Sequence, residues 1–304
     1  MLRQMISCFA ACHYNVVVVR RELLLFFDYG GVFMDRFLLS INSHCVLDFD
    51  DDIGKSKREP RDISFFGKMM LEHPAKFRTM LKTYSWFSTG PADMIEILRP
   101  HHPEAAKSNT YILPMCIEMH SPFTKNYSVA QDEIVFGWIG QTAKLNSLKE
   151  VVSALEIISK EINVRLIVLS GAALDAAVSF PVENIRWSLE NETAQMQRFD
   201  IGLAPYQKEE EKTASGSYKL IQYMSLGLIT ISTDVKFIQW QVRNGVDGFI
   251  LEENNWEKTI RTVLSKKNDW SKIGSEGQNF VKGYFTFEAH LESYATFLKR
   301  VAGS

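Results

Sequence analysis

A glycine opens a stretch of helical spacing, a second glycine ends it, and a β-branched strand follows at once in GSYKLIQYMSLGLITIS, residues 216–232. A small-residue loop running into a helix N-terminus presents backbone N–H groups to an anion, which is how many phosphate sites are built. Such a unit needs a strand before the loop and another after the helix. The flanking sequence supplies both, with DIGLAPY (200–206) ahead and LITIS (228–232) behind. The grammar recurs in EIVFGWIG (133–140) and VRLIVLSG (164–171), each a buried-strand pattern closing on glycine. Between them LNSLKEVVSALEIISKEI (145–162) carries apolar residues at helical spacing.

Strands alternating with helices predict an α/β chain with parallel sheets covered on both faces. The rest of the second half follows suit. A strand is expected at 184–187 and helices at 191–199 and near 235–243. GFILE (248–252) is another strand, and helices are expected near 254–267, 270–283 and 288–301. The first half alternates too. NVVVV (15–19), HCVLDFDDD (44–52), SWFST (85–89) and TYILP (110–114) are the strands, with helices at 30–42, 66–82 and 91–99. His101 and His102 lie beside Pro103 in what the pattern makes a loop, and their spacing suits no metal.

A chain of 304 residues is long for one core. The aperiodic, polar stretch 119–133 marks a linker. The expected division is a first domain over 1–125, a second over 126–287, and a C-terminal helix over 288–304 that crosses back to the first. A formal charge of −2 offers no bulk attraction to nucleic acid. Cysteines 8, 12, 45 and 116 form no CxxC pair, which fits reduced thiols in a cytoplasmic protein. The apolar runs 15–19 and 23–27 are split by Arg20, Arg21 and Glu22, well short of a membrane span.

Three groups of residues carry candidate chemistry. In the loop 209–219, the small residues Ser215, Gly216 and Ser217 let a diphosphate approach the amides, and Lys219 adds a point charge one turn in. An ordinary capped loop would look the same. The turn Gly140-Gln141-Thr142-Ala143-Lys144 resembles a phosphate-facing turn but is not GxGxxG, which argues against a dinucleotide fingerprint. Trp187, at a strand end, could stack on a base, although core packing competes as the explanation. Finally, VLDFDDDI (46–53) admits three readings. Asp48 and Asp50 spell the DxD of metal-dependent transferases, or the first motif of a magnesium-dependent phosphatase with an aspartate nucleophile. The third reading is a carboxylate cluster lining a cleft.

Six pieces in order, VFGWIGQ, VRLIVLSG, IRWSLENE, FDIGLAPY, GSYKLIQYMSLGLITIS and NGVDGFILEE, resemble the C-terminal domain of the retaining GT-B glycosyltransferases of group 1, the glycogen-synthase-like family. The resemblance covers about 133–285. More loosely, the first half is similar to the acceptor-side domain of relatives in surface-polysaccharide assembly, and ILPMCIE (112–118) to the hinge strand. The resemblance implies a GT-B-like fold, two Rossmann-like domains with parallel sheets facing across a cleft. It implies transfer of a sugar from a nucleotide-diphosphate sugar to a hydroxyl acceptor, with retained anomeric configuration, no cofactor and no bound metal. The acceptor would be a glycan or a lipid-linked glycan, placing the protein in the cytoplasm at the inner face of the membrane with a peripheral contact to it.

By the same resemblance Gly140, Gln141, Lys144, Trp187, Ser215, Gly216, Ser217, Lys219 and Gln222 form the donor site, with Gln222 on the ribose, and Asp50 and Asp51 line the acceptor side. Two departures stand out. Where the family often has two glutamates eight residues apart, this chain has Ala214 and Gln222. The acceptor-side domain also lacks the usual first strand, glycine loop and helix. Both departures leave open a degenerate, non-catalytic protein that binds a nucleotide-sugar or a partner.

Overall fold

The computed structural model describes residues 2–21, 23, 32–50, 74–90, 94–119, 125–127, 132–207, 217–236 and 238–303. Two compact units are present. The first comprises Met1–Met115 with His290–Ser304, and the second Cys116–Ala289.

In the first unit, β1 (Val17–Arg20), β2 (Cys45–Phe49), β3 (Trp86–Thr89) and β4 (Thr110–Ile112) pair in parallel in that order. Alternation along β2 sorts its side chains to two faces. Cys45, Leu47 and Phe49 enter the larger core with Leu38 of α2 (Phe33–Ile41) and Met80 and Leu81 of α3 (Pro74–Thr83). Leu98 of α4 (Ile95–Leu98) and Ala105 of α5 (Pro103–Ser108) join them. Val46 points the other way, onto Phe297 and Val301 of the last helix (Phe287–Val301). Burying each of those two side chains is worth about 1.5–3 kcal/mol.

Two elements here differ from expectation. Leu2–Ala10 forms a helix, α1, that puts Cys8 in the core. Residues 103–108, expected as loop, are helical because Pro103 takes the first position, where no N–H is needed. Burial pushes the Cys45 thiol up to about 12, so it is an inert apolar filler. All four cysteines are free.

The second unit holds a six-stranded parallel sheet. Its strands are β5 (Ile134–Ile139), β6 (Val164–Ser170), β7 (Val182–Arg186), β8 (Ile201–Ala204), β9 (Ile229–Ser232) and β10 (Phe249–Ile250), in the spatial order β10-β9-β8-β5-β6-β7. The chain runs outward from β5 to β7, returns to the far side of β5, and runs outward again to β10. That is the doubly wound dinucleotide-fold order, and its reversal lies between β5 and β8. Both faces are buried. Leu166 and Val168 of β6 face one core with α6 (Lys149–Ile158) and α9 (Trp256–Ser265), which are packed together with Trp270. Ile167 and Leu169 face the other, with α8 (Tyr218–Ser225) and Val281 and Phe285 at the end of α10 (Trp270–Tyr284).

Helix α8 follows from local rules. The Ser217 hydroxyl accepts from the Leu220 N–H at 3.3 Å, an N-cap. At the far end Gly227 takes φ +68°, the left-handed conformation that closes a helix, and β9 begins two residues later. The helix expected near 235–243 is absent, and the described residues there form turns. Val235, Ile238 and Val242 keep helical spacing because all three are buried. The expected linker at 119–133 is also revised in part. Residues 125–127 are docked on the second unit, with Lys125 Nζ 2.9 Å from Asp200 Oδ1 and the Tyr127 hydroxyl donating to the Asp200 carbonyl at 2.8 Å.

Candidate functional site

Ligands of a doubly wound sheet collect at the carboxyl ends of its strands, beside the strand-order reversal. In the second unit that place is flanked by Gly140 after β5, Tyr206 after β8 and the N-terminus of α8. Trp138 and Lys219 tie these together. A Cβ on Gly140 would sit 2.4 Å from the Trp138 ring, so only glycine lets the turn close over the indole. Lys219 Nζ lies 4.8 Å from the Trp138 ring centroid and 5.4 Å from that of Tyr206. The cation of α8 thereby lies over one ring from β5 and one from the segment after β8.

Ser217 is 2% exposed and engaged on every side. Its hydroxyl caps α8 and accepts from the Tyr206 hydroxyl, and its N–H donates to Gln241 Oε1 at 2.7 Å. Its role is to fix the helix start. The N–H groups of the following first turn find no acceptor inside the helix, as at any helix start. They carry the positive end of the macrodipole.

One and a half turns along α8, Gln222 Nε2 donates to Glu192 Oε1 at 3.1 Å, and Trp187 Nε1 donates to Glu192 Oε2 at 2.7 Å. Glu192 opens the short helix α7 (Glu192–Met196). Trp187 is 45% exposed, so core packing does not explain it. Gln141 and Lys144 stand exposed where the turn 142–148 begins. Ser215 and Gly216 lie outside the described residues, as does Ala214. A cavity of about 620 Å³ adjoins the site, lined by Asn146, Lys149, Glu150, Tyr206, Thr233 and Trp256 among others. Sequence reasoning missed Glu192, Tyr206 and Gln241. Each acts through a partner distant in sequence, and no spacing rule points to it.

In the first unit, Asp50 follows β2 and Asp51 lies outside the described residues. Arg20 Nη2 is 2.8 Å from Asp50 Oδ2, and its Nη1 is 3.8 Å from Asp48 Oδ2. A guanidinium thus stands where the phosphatase reading needs a metal. Among the described residues no group of three or more His, Cys, Asp or Glu could hold a metal ion. Burial pushes the Asp48 carboxyl up, against the opposing pull of the Ser88 hydroxyl and Arg20. The folded state therefore keeps this proton to higher pH than the unfolded chain, whose carboxyl titrates near about 3.9. Stability falls as pH rises through that window. Asp48→Asn is expected to raise the melting temperature at pH 7 and to have no such effect near pH 3. Equal melting temperatures at pH 7 would contradict this account.

These features define a doubly wound, Rossmann-like unit with a capped helix start at its strand-order reversal. Residues 133–266 match the family described as glycosyl transferases group 1. The capsular polysaccharide biosynthesis glycosyltransferase CapM of Staphylococcus aureus is 26% identical over 192 residues, 59% of this chain and 50% of CapM. The match thus spans about half the length of that relative. The fold is shared with sucrose-phosphate synthase of Thermosynechococcus elongatus (TM-score 0.68, 13% identity, 99% of this chain and 77% of that one). It is shared equally with Anabaena HepE in complex with UDP (TM-score 0.68, 13% identity, 98% and 82%). Among the described residues no helix is long and apolar enough to cross a membrane.

Proposed function

We propose that this chain binds a nucleotide-diphosphate sugar in its second unit and transfers the sugar to a hydroxyl of a glycan or lipid-linked acceptor, in the assembly of a polysaccharide or glycoconjugate. The observation that carries the reading is the start of α8, fixed by Ser217 at the strand-order reversal with Lys219 held over the Trp138 ring. Negative charge develops on the diphosphate as the sugar departs. A helix N-terminus and a lysine placed where that charge appears stabilise the transition state more than the ground state. Transfer with retained configuration and without a metal is part of the proposal, as is action at the cytoplasmic face of the membrane. Sedimentation with vesicles carrying a lipid-linked glycan tests the last point, and absence of co-sedimentation would remove it.

The test is a thermal-shift panel with UDP, GDP, ADP, TDP and CDP, with and without chelator. At 100 times its dissociation constant a ligand adds about 2.7 kcal/mol of stability. One nucleotide should shift the midpoint, unchanged by chelator, and Lys219→Ala should weaken that ligand about tenfold, the worth of one charge-assisted contact. No shift with any nucleotide would remove the donor site. The alternative is binding without turnover, favoured by Ala214, which puts a methyl group where relatives often carry a glutamate. Nucleotide binding with no sugar transfer to any glycan or lipid-linked acceptor would establish it.

A further inference from the structure

The pairing of Glu192 with Gln222 and Trp187 has a consequence for nucleoside recognition. A carboxylate only accepts hydrogen bonds, so the amide nitrogen of Gln222 and the indole N–H of Trp187 must be the atoms that face it. Those two bonds, at 3.1 and 2.7 Å, fix one oxygen each. An ionised carboxylate has about four acceptor sites, so both oxygens retain capacity. A vicinal diol donates two hydrogen bonds, one from each hydroxyl. We propose that Glu192 is the carboxylate that receives the 2′- and 3′-hydroxyls of the donor's ribose, with Gln222 and Trp187 as its positioning partners. This rests on the donor-site reading above.

Placement supports it. From Ser217 to Gln222 is five residues, about 7.5 Å of helix rise. A carboxylate at the start of α8 would repel a diphosphate, whereas one displaced this far along the helix meets the neutral sugar that follows the phosphates. Beyond it lies the exposed ring of Trp187, an aromatic face on which a base can stack. Phosphate, ribose and base thus map in order onto the helix start, Glu192 and Trp187. Tyr218, one turn before Gln222, shares this surface. Its hydroxyl is pushed up first by burial and then by the negative charge of Glu192.

The experiment measures dissociation constants of UDP, GDP, ADP and CDP and of their 2′-deoxy counterparts for the full chain. Wild type should prefer the ribonucleotide by about tenfold, in keeping with a hydrogen bond to a charged acceptor. Glu192→Gln should weaken the ribonucleotide by more than the deoxynucleotide, which keeps only its 3′-hydroxyl, and bring the ratio close to one. Trp187→Phe keeps an aromatic face and removes the N–H, so it should lower the ratio. Its unchanged ratio would dismiss Trp187 as a positioning partner. Melting curves on each variant separate misfolding from lost recognition, and Gln222→Leu, expected to lower the ratio as well, stands in should Glu192→Gln not fold. A wild-type ratio retained in Glu192→Gln, or no ribose preference in wild type, would overturn the assignment while leaving the donor site standing. No nucleotide binding at all would overturn both.

Discussion

Asp200→Ala is expected to destabilise the second unit by about 3–5 kcal/mol, because it strands a buried lysine. Asp200 Oδ1 pairs with Lys125 Nζ at 2.9 Å, their side chains 3% and 9% exposed. Asp200 Oδ2 also accepts from the Val135 N–H at 2.8 Å, at the start of β5. Truncation removes both partners at once, leaving a cation and a backbone donor in a dry site. At about 2–4 °C per kcal/mol in a body of this size, the midpoint should fall by roughly 6–20 °C. Urea denaturation measures it directly. A loss under about 1 kcal/mol would mean that water reaches Lys125 and that the pair behaves as an exposed one.

Tyr223→Phe should cost about 1–3 kcal/mol and weaken nucleotide binding together. The Tyr223 ring is fully buried, and its hydroxyl accepts from the Ile139 N–H at 3.0 Å. Burial pushes this phenol far up, so it stays neutral at any physiological pH. Ile139 is the last residue of β5, immediately before Gly140. The bond therefore links α8 to the turn that follows β5. Phenylalanine leaves that N–H buried and unpaired, and the turn loses its register to the helix. Unfolding by urea and nucleotide affinity should both change, and an unchanged stability would show that Ile139 has found another acceptor.

The parallel sheet of the second unit was legible because β5 and β6 are continuous apolar runs that end in glycine, and few structures bury both faces of a strand. The start of α8 was legible from Ser217, which obeys local capping rules. Other features were hidden for physical reasons. Residues 235–242 have helical spacing, but their apolar side chains are fixed by burial rather than by a helix. Gln241 there turns its amide oxygen to Ser217 N–H across 24 residues of sequence. Glu192 looked like any acidic residue in a first helical turn. Only folding brings it to Gln222, 30 residues away. Trp187 was weighed as core because aromatics usually are, and its exposure is a tertiary fact.

The bridge between Ile117 and Thr286, with the Ile117 N–H donating to the Phe285 carbonyl at 2.7 Å, makes the chain enter and leave the second unit at adjoining points. That unit is one uninterrupted stretch of sequence, whereas the first is stitched from residues before 116 and after 289. During synthesis the order of completion is therefore inverted. The sheet of the first unit is made earliest, yet Val46, Trp86 and Tyr111 wait for Phe297 and Val301, which emerge only after every residue of the second unit has been made. The second unit is finished before the one that precedes it.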